Sequence, residues 1–432
     1  AAPQASARDL SSFGAGVNTL KALIGIGLLS LPYATQQVGC VASVVGMGVI
    51  AALTFGGIVF AAEAGERLAK RWIDTGRSLR RIEAEDRSGG QSDGLGAEDA
   101  PFVSKEQQPG TSAGSHFGLG PFDEAVQEVL GWPGQLAWVS SVLAAQFGCA
   151  VSYICLVVQI VQRSWPQTDR LFATLGLGSV LAVLCTVPKL RGVTVFSVTS
   201  LLTYAIILGI LVRHCVSGTG GHVLADTLDA AAVPLGVPTG HQFATWFGLV
   251  SFSFSSLPVS MSIHRDMREP ARFQRVTACA FASCWIVDAF TGVVGCLAFG
   301  EQTAEVVLLN FEEGMLTDCA EVIVCIVLTL TYVLQMMPVF NCAQAACGVS
   351  HNYVLVRMAI LALSVVVAYV APNPLVIMSL TGSVAYAVSG FVLPPLVFLM
   401  ASPEPTALEI FAAVGMFAIG TASASLAICG AM

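Results

Sequence analysis

Two short stretches carry residues whose types and spacing invite chemistry. Residues 25–32 read Gly-Ile-Gly-Leu-Leu-Ser-Leu-Pro, and residues 251–258 read Ser-Phe-Ser-Phe-Ser-Ser-Leu-Pro. Each lies in an apolar run, and each ends in Ser-Leu-Pro after small residues. In a helix interior Gly costs about 1 kcal/mol relative to Ala, and Pro about 3. Proline lacks the amide hydrogen and clashes with the carbonyl one turn back. Gly25 and Gly27, or Ser253, Ser255 and Ser256, can then leave the helical ladder. Hydrocarbon offers the freed carbonyls and amides no partner, so such breaks present backbone groups and helix ends to a ligand. A second kind of chemistry resides in Asp288, mid-run in "SCWIVDAFTGV". An ionisable group inside a membrane span is costly and marks function by default. Asp288 is therefore the proton-coupling candidate, with a structural hydrogen bond as its alternative. Glu63, Glu66 and Glu321 fall near the ends of apolar runs, where hydration is expected.

The elements that hold these residues are membrane helices. The 432 residues are 55% hydrophobic and only 11% charged, against about 25% charged in soluble domains. Apolar runs of at least ~18 residues can cross about 30 Å of hydrocarbon. About eleven spans are expected, near 14–36, 41–66, 134–162, 171–188, 193–213, 241–263, 272–299, 316–345, 354–371, 374–400 and 407–430. The two breaks then fall in the first and sixth spans. Broken spans at matching places in two halves point to a midplane binding site. A five-span unit is odd-numbered, so the second unit is inverted relative to the first. The fold class is thus an all-α polytopic membrane protein with an inverted five-plus-five repeat.

The remaining segments read as 1–13, an N-terminal cytoplasmic stretch in which no cleavable signal peptide is recognised, and 67–133. The latter is rich in Gly, Ser, Asp and Glu. It reads as a disordered loop ending in a short amphipathic helix at 121–131. Spans one and two occupy 14–66, and spans three to eleven occupy 134–432. With the N-terminus in the cytoplasm, that side holds Arg8, the basic residues between Arg67 and Lys105, Lys189, Arg191, four arginines between 265 and 275, and Arg357. The opposite side holds Arg163, Arg170 and Arg213. The positive-inside rule favours this orientation.

Several function classes find no support. Most of the thirteen cysteines lie in apolar runs and read as small core residues. Cys40, Cys215 and Cys319 fall near loops on one side and are the candidates for pairing. There is no Cys/His set with zinc spacing, no Ser/His pair in adjacent spans and no phosphate loop. No catalytic residue, cofactor, structural metal or nucleic-acid partner is expected.

"NTLKALIGIGLLSLPYATQQVG" (18–39), "MSIHRDMREPARFQRV" (261–276), "GCLAFGEQTAEVVLLNF" (295–311) and "SLTGSVAYAVSGFVLPPLVFL" (379–399) together carry a resemblance. They resemble the amino acid/auxin permease family, above all its vacuolar-type and proton-coupled neutral amino acid transporters. The resemblance implies the leucine-transporter-like fold with helices 1 and 6 broken. Carried over by position, Gly25, Ile26 and Gly27, with Ser30 beside them, would offer backbone groups to a substrate carboxylate at the positive end of a half-helix. Phe252, Ser253, Phe254 and Ser255 would line the other break. Many relatives have Glu-Gly or another polar pair where this chain has Ser255-Ser256, so no carboxylate waits there and a neutral ligand is favoured. Tyr153 would lie over the carboxylate, or serve only in packing. Thr329 and Thr331 would complete a sodium site, since hard cations take oxygen ligands, or bond back to the preceding helical turn.

The expected function is secondary active transport of neutral amino acids by alternating access, coupled to protons or, alternatively, sodium. An amino acid sensor on the same fold is the competing class. The expected surroundings are a lipid bilayer, either an endomembrane such as the vacuole or the plasma membrane.

Overall fold

The computed structural model describes residues 10–89, 121–186, 193–217, 238–347 and 353–431. Among these, regular structure is helical, apart from one isolated bridge between Leu10 and Met267. Seven helices are long and apolar enough to cross a membrane, and an eighth span is a bent pair. Shorter apolar helices at Arg170–Thr186, Leu201–Val216 and Val354–Val370 stand where spans four, five and nine were expected. The chain is a multi-pass membrane protein.

The first span is α1 (Ser12–Leu23), a 3-10 turn (Ile26–Ser30) and α2 (Leu31–Val38). The Ser11 hydroxyl caps α1 by accepting from the Gly14 amide at 3.1 Å. The two halves are bent by 42°. Pro32 sits in the first turn of α2, where its missing N–H costs nothing. Gly39, at φ 86°, supplies the left-handed residue that ends α2 and starts α3 (Cys40–Gly89).

The helix α3 runs past its spanning part, Cys40–Arg71, so residues 67–89, expected to open the loop, are helical. The segment is acidic and basic, but Arg, Lys, Leu, Ala and Glu are strong helix formers, and Glu63–Arg67 pair one turn apart at 3.1 Å. Residues 90–120 of the expected loop lie outside the described residues. The short helix expected at 121–131 is present as the start of α4 (Pro121–Ser164). Gly131, at φ 65°, and Pro133 then turn it into the third span.

Next come α5 (Arg170–Thr186), α6 (Val193–Ser217), and a sixth span made of α7 (Gly240–Phe254) and α8 (Leu257–Asp266). Thr239 and Gln242 form a reciprocal capping box at the start of α7. The seventh to ninth spans are α9 (Phe273–Phe299), α10 (Met315–Cys347) and α11 (Tyr353–Val370). The tenth comprises α12 (Pro374–Leu380), π-wound turns at Thr381–Tyr386 and Val388–Val392, and α13 (Leu393–Ala401). The last helix, α14 (Ala407–Ala431), stands where the eleventh span was expected.

Packing brings the two breaks together. The helix α2 packs on α7 and α9, and α7 packs on the π-wound part of the tenth span. That last crossing is close because both sides are glycine: a Cβ on Gly382 would collide with the Gly248 carbonyl oxygen. At the end bearing Leu10, the chain is stitched to the sixth span. The Leu10 amide donates to Asp266 O at 3.1 Å, and the Arg268 amide donates to Leu10 O at 3.0 Å.

The loop between α9 and α10 closes the other end. Val306, Val307 and Leu308 are fully buried and Phe311 nearly so. Arg163, at the end of α4, donates to Leu308 O at 2.5 Å and to Phe311 O, and pairs with Glu321 at 3.0 Å. Glu321 is thus buried and paired, not hydrated as its position near a span end implied. The acids at the opposite end are also partnered: Glu63 with Arg67 and Gln274, Glu66 with His264. Cys40, Cys215 and Cys319, the three that could have paired, are free thiols.

Candidate functional site

A cavity of about 890 Å³ lies between the two breaks. Gly25, Ile26 and Gly27 of the first break line it, facing Phe252, Ser253, Ser255 and Ser256 of the second. Gly25 is extended, at φ −141° and ψ −158°, and Leu28 N bonds Gly25 O at 3.1 Å as the 3-10 turn begins. The leading amides of a helix have no partner within it, so those at 26 and 27 offer donors together with the positive end of the dipole. On the other side Ser255 is extended, and Ser256, at φ −147° and ψ 12°, precedes Pro258 in the first turn of α8.

The two glycines differ. A Cβ on Gly25 would meet nothing within 4 Å, so its missing side chain leaves room in the cavity. A Cβ on Gly27 would lie 3.0 Å from Ser253 Cα and 3.2 Å from Ser253 Oγ, so glycine there lets the breaks touch.

Ser253 also joins the breaks to Asp288. Its hydroxyl donates to Asp288 Oδ2 at 2.8 Å, and the Cys284 thiol donates to the same oxygen at 3.6 Å. Asp288 is fully buried. Its Oδ1 has no hydrogen-bond partner among the described residues. The carboxyl therefore stands behind the cavity wall rather than on it, one hydroxyl away from the first break.

Tyr153 lines the cavity, and its hydroxyl accepts from the Cys149 thiol at 3.2 Å. Three residues of the expected set stand elsewhere. Ser30 is buried with its hydroxyl against the Met378 sulfur at 4.0 Å. Phe254 stacks on Phe281, with ring centroids 6.4 Å apart. Thr329 bonds back to Cys325 O at 2.6 Å and faces a separate small void. Thr331 reaches the cavity, although its hydroxyl also donates backward, to Val327 O at 2.7 Å. Among the described residues no three His, Cys, Asp or Glu side chains cluster as metal ligands.

The cavity also gathers residues that motif reading passed over. Tyr204 and Tyr386 join Tyr153, and the Phe252 and Tyr386 rings meet edge-on at 5.8 Å. Asn18, Lys21, Ser262 and Asp266 continue the wall toward the end bearing Leu10. Gln146 of α4 and Gln335 of α10 face each other, the Gln335 amide donating to the Gln146 oxygen. A polar residue in the middle of an apolar span was the signal for the two glutamines. The tyrosines gave none, since an aromatic in a span more often packs than binds.

The sequence profile of the family described as "Transmembrane amino acid transporter protein" matches residues 111–431. The chain belongs to that family. Among its relatives is "Amino acid transporter AVT3C" of Arabidopsis thaliana, 28% identical over 162 residues, which are 38% of this chain and 37% of the relative. "Amino acid transporter AVT1B" of the same plant is 26% identical over 414 residues, 90% of this chain and 64% of the relative. "Amino acid transporter AVT1E" is 24% identical over 336 residues, 75% and 52% respectively. The chain thus spans less than two thirds of the length of each of these transporter relatives. The family profile covers the second break, at 251–258.

Proposed function

We propose that this chain is a secondary active transporter that moves neutral amino acids across a membrane, coupled to protons, by alternating access. Family membership and the names of the relatives support the amino acid as substrate class. The inverted five-plus-five arrangement fits the position of the breaks in the first and sixth spans. The substrate carboxylate would take the amides at 26 and 27, and Ser253, Ser255 and Ser256 would take the amino group. Residues 25–32 and 251–258 include no acid, and the acid on the cavity wall, Asp266, lies at the end bearing Leu10; both favour a substrate without a cationic side chain.

One observation carries the coupling: Ser253 touches Gly27 and donates to Asp288. A proton on Asp288 changes the charge that the Ser253 hydroxyl faces. The hydroxyl held by the carboxyl in one state is released toward the ligand in the other. Substrate and proton are then linked through a single side chain. The cavity reaches Leu10 and Asp266 but includes no residue of the buried 306–311 loop. With the N-terminus cytoplasmic, as the basic residues favour, this is a cytoplasm-facing state.

The deciding experiment is uptake of labelled amino acids by proteoliposomes, with and without a proton gradient and with sodium replaced by choline. Uptake that follows the gradient and ignores sodium supports the reading. Uptake requiring sodium at constant pH moves the coupling to Thr331 and the carbonyls of the first break. Saturable binding without flux makes the chain a sensor.

A further inference from the structure

Gln146 and Gln335 form a carboxamide pair in the cavity wall that the backbone chemistry of the breaks does not use. Gln146 is on the third span, one turn before Cys149 and two before Tyr153, so the three share one helix face. Gln335 is on the eighth span, one turn after Thr331. Both glutamines line the cavity. Their mutual bond uses one N–H of Gln335 and the carbonyl oxygen of Gln146. Each carboxamide has four hydrogen-bonding positions, so the pair still holds the Gln146 NH2 as donor and the Gln335 oxygen as acceptor. Neither of those atoms is among the buried polar atoms without a partner, and both side chains belong to the cavity lining.

We infer that Gln146 and Gln335 are specificity-determining residues that select an amino acid whose uncharged side chain both donates and accepts hydrogen bonds, a carboxamide above all. This deepens the transport reading and rests on it. A ligand carboxamide would accept from the Gln146 NH2 and donate to the Gln335 oxygen, extending the pair into a chain of amides. A ligand with an aliphatic chain of the same length fills the space but leaves both groups unpaired. A site built to bond a polar group discriminates strongly against an analogue that lacks it.

The test compares glutamine with norleucine, which has nearly the same reach and no polar end, in proteoliposomes of the full chain. The expected kcat/KM ratio favours glutamine by about 10-fold or more. In Gln146→Leu/Gln335→Leu the ratio falls to about one or reverses, while norleucine is still transported. Gln335→Met, which leaves one partner, gives an intermediate ratio and guards against a double variant that does not fold. Thermal stabilisation of the detergent-solubilised protein by each amino acid gives a second readout without flux. A wild type that handles both substrates equally overturns the inference and leaves the transport reading intact. So does an unchanged ratio in a folded double variant, which reduces the pair to a bond between helices. A protein that moves no amino acid overturns both.

Discussion

The Ser253 hydroxyl and the Asp288 carboxyl are 2.8 Å apart, and through that bond the backbone break of the sixth span is tied to the one fully buried acid of the seventh. Asp288→Asn keeps the shape and an acceptor for Ser253 but cannot gain or lose a proton. Net uptake should lose its rise with falling pH on the non-cytoplasmic side, while exchange of labelled for unlabelled substrate persists. Exchange and gradient-driven uptake in the same vesicles measure both. A normal pH profile in the variant removes Asp288 from the coupling.

Gly27 and Gly25 separate two roles that a glycine can have. Gly27→Val must push against Ser253, 3.0 Å from the position of the new Cβ. Overpacking of this kind costs about 1–3 kcal/mol, and transport should fall below a tenth while the protein still reaches the membrane. Gly25→Ala meets no neighbour, so stability should be unchanged and the effect should appear as a raised KM. The contrast is read from melting temperatures and uptake kinetics side by side.

Arg163 holds the loop that closes one end. Arg163→Gln removes the partner of the buried Glu321 and the donors to Leu308 O and Phe311 O. Leaving such groups unpaired costs about 1–3 kcal/mol each. Hydrogen exchange at 306–311 should accelerate, and a cysteine placed at Leu308 should become reactive to membrane-impermeant reagents from outside. Protection equal to wild type would show that apolar burial alone holds the loop.

Gly382 faces the Gly248 carbonyl where the sixth and tenth spans cross. Backbone cannot yield there as a side chain can. Gly382→Ala should therefore be among the most damaging small substitutions in the chain, with loss of monodisperse protein in detergent chromatography. Gly209→Ala, which meets nothing within 4 Å, is the matched control and should behave as wild type.

The breaks and the buried acid were legible because each violates a rule of membrane helices. Gly25, Gly27 and Pro32 interrupt an apolar run, and Asp288 carries a charge into one. Their spacing also sets the two breaks in the first and sixth spans, where the helices are interrupted in the structure. The exact faces were not legible. Phe252 and Phe254 are two residues apart on α7 and so point to nearly opposite faces, Phe252 to the cavity and Phe254 to Phe281. Ser30 is turned inward by the tighter 3-10 winding of Ile26–Ser30. Tyr204, Tyr386, Gln146 and Gln335 come from four different spans and converge only through packing. The helix through residue 89 was hidden because composition registers charge and glycine but not the order in which helix formers recur.

The closed loop at 306–311 has an electrical consequence. A water-filled cavity that opens at one end alone is a cup, and nearly all of a membrane voltage falls across its base. That base is the septum formed by Val306, Leu308, Phe311 and the 3-10 turn of Ile26–Ser30 on which the loop packs. An ion drifting within the cup feels almost no field, whereas a charge carried across the septum feels all of it, worth about 2.3 kcal/mol per elementary charge for each 100 mV. On the proposed coupling, a neutral amino acid moving with one proton would therefore be driven by voltage as well as by pH, and its transport would carry a current.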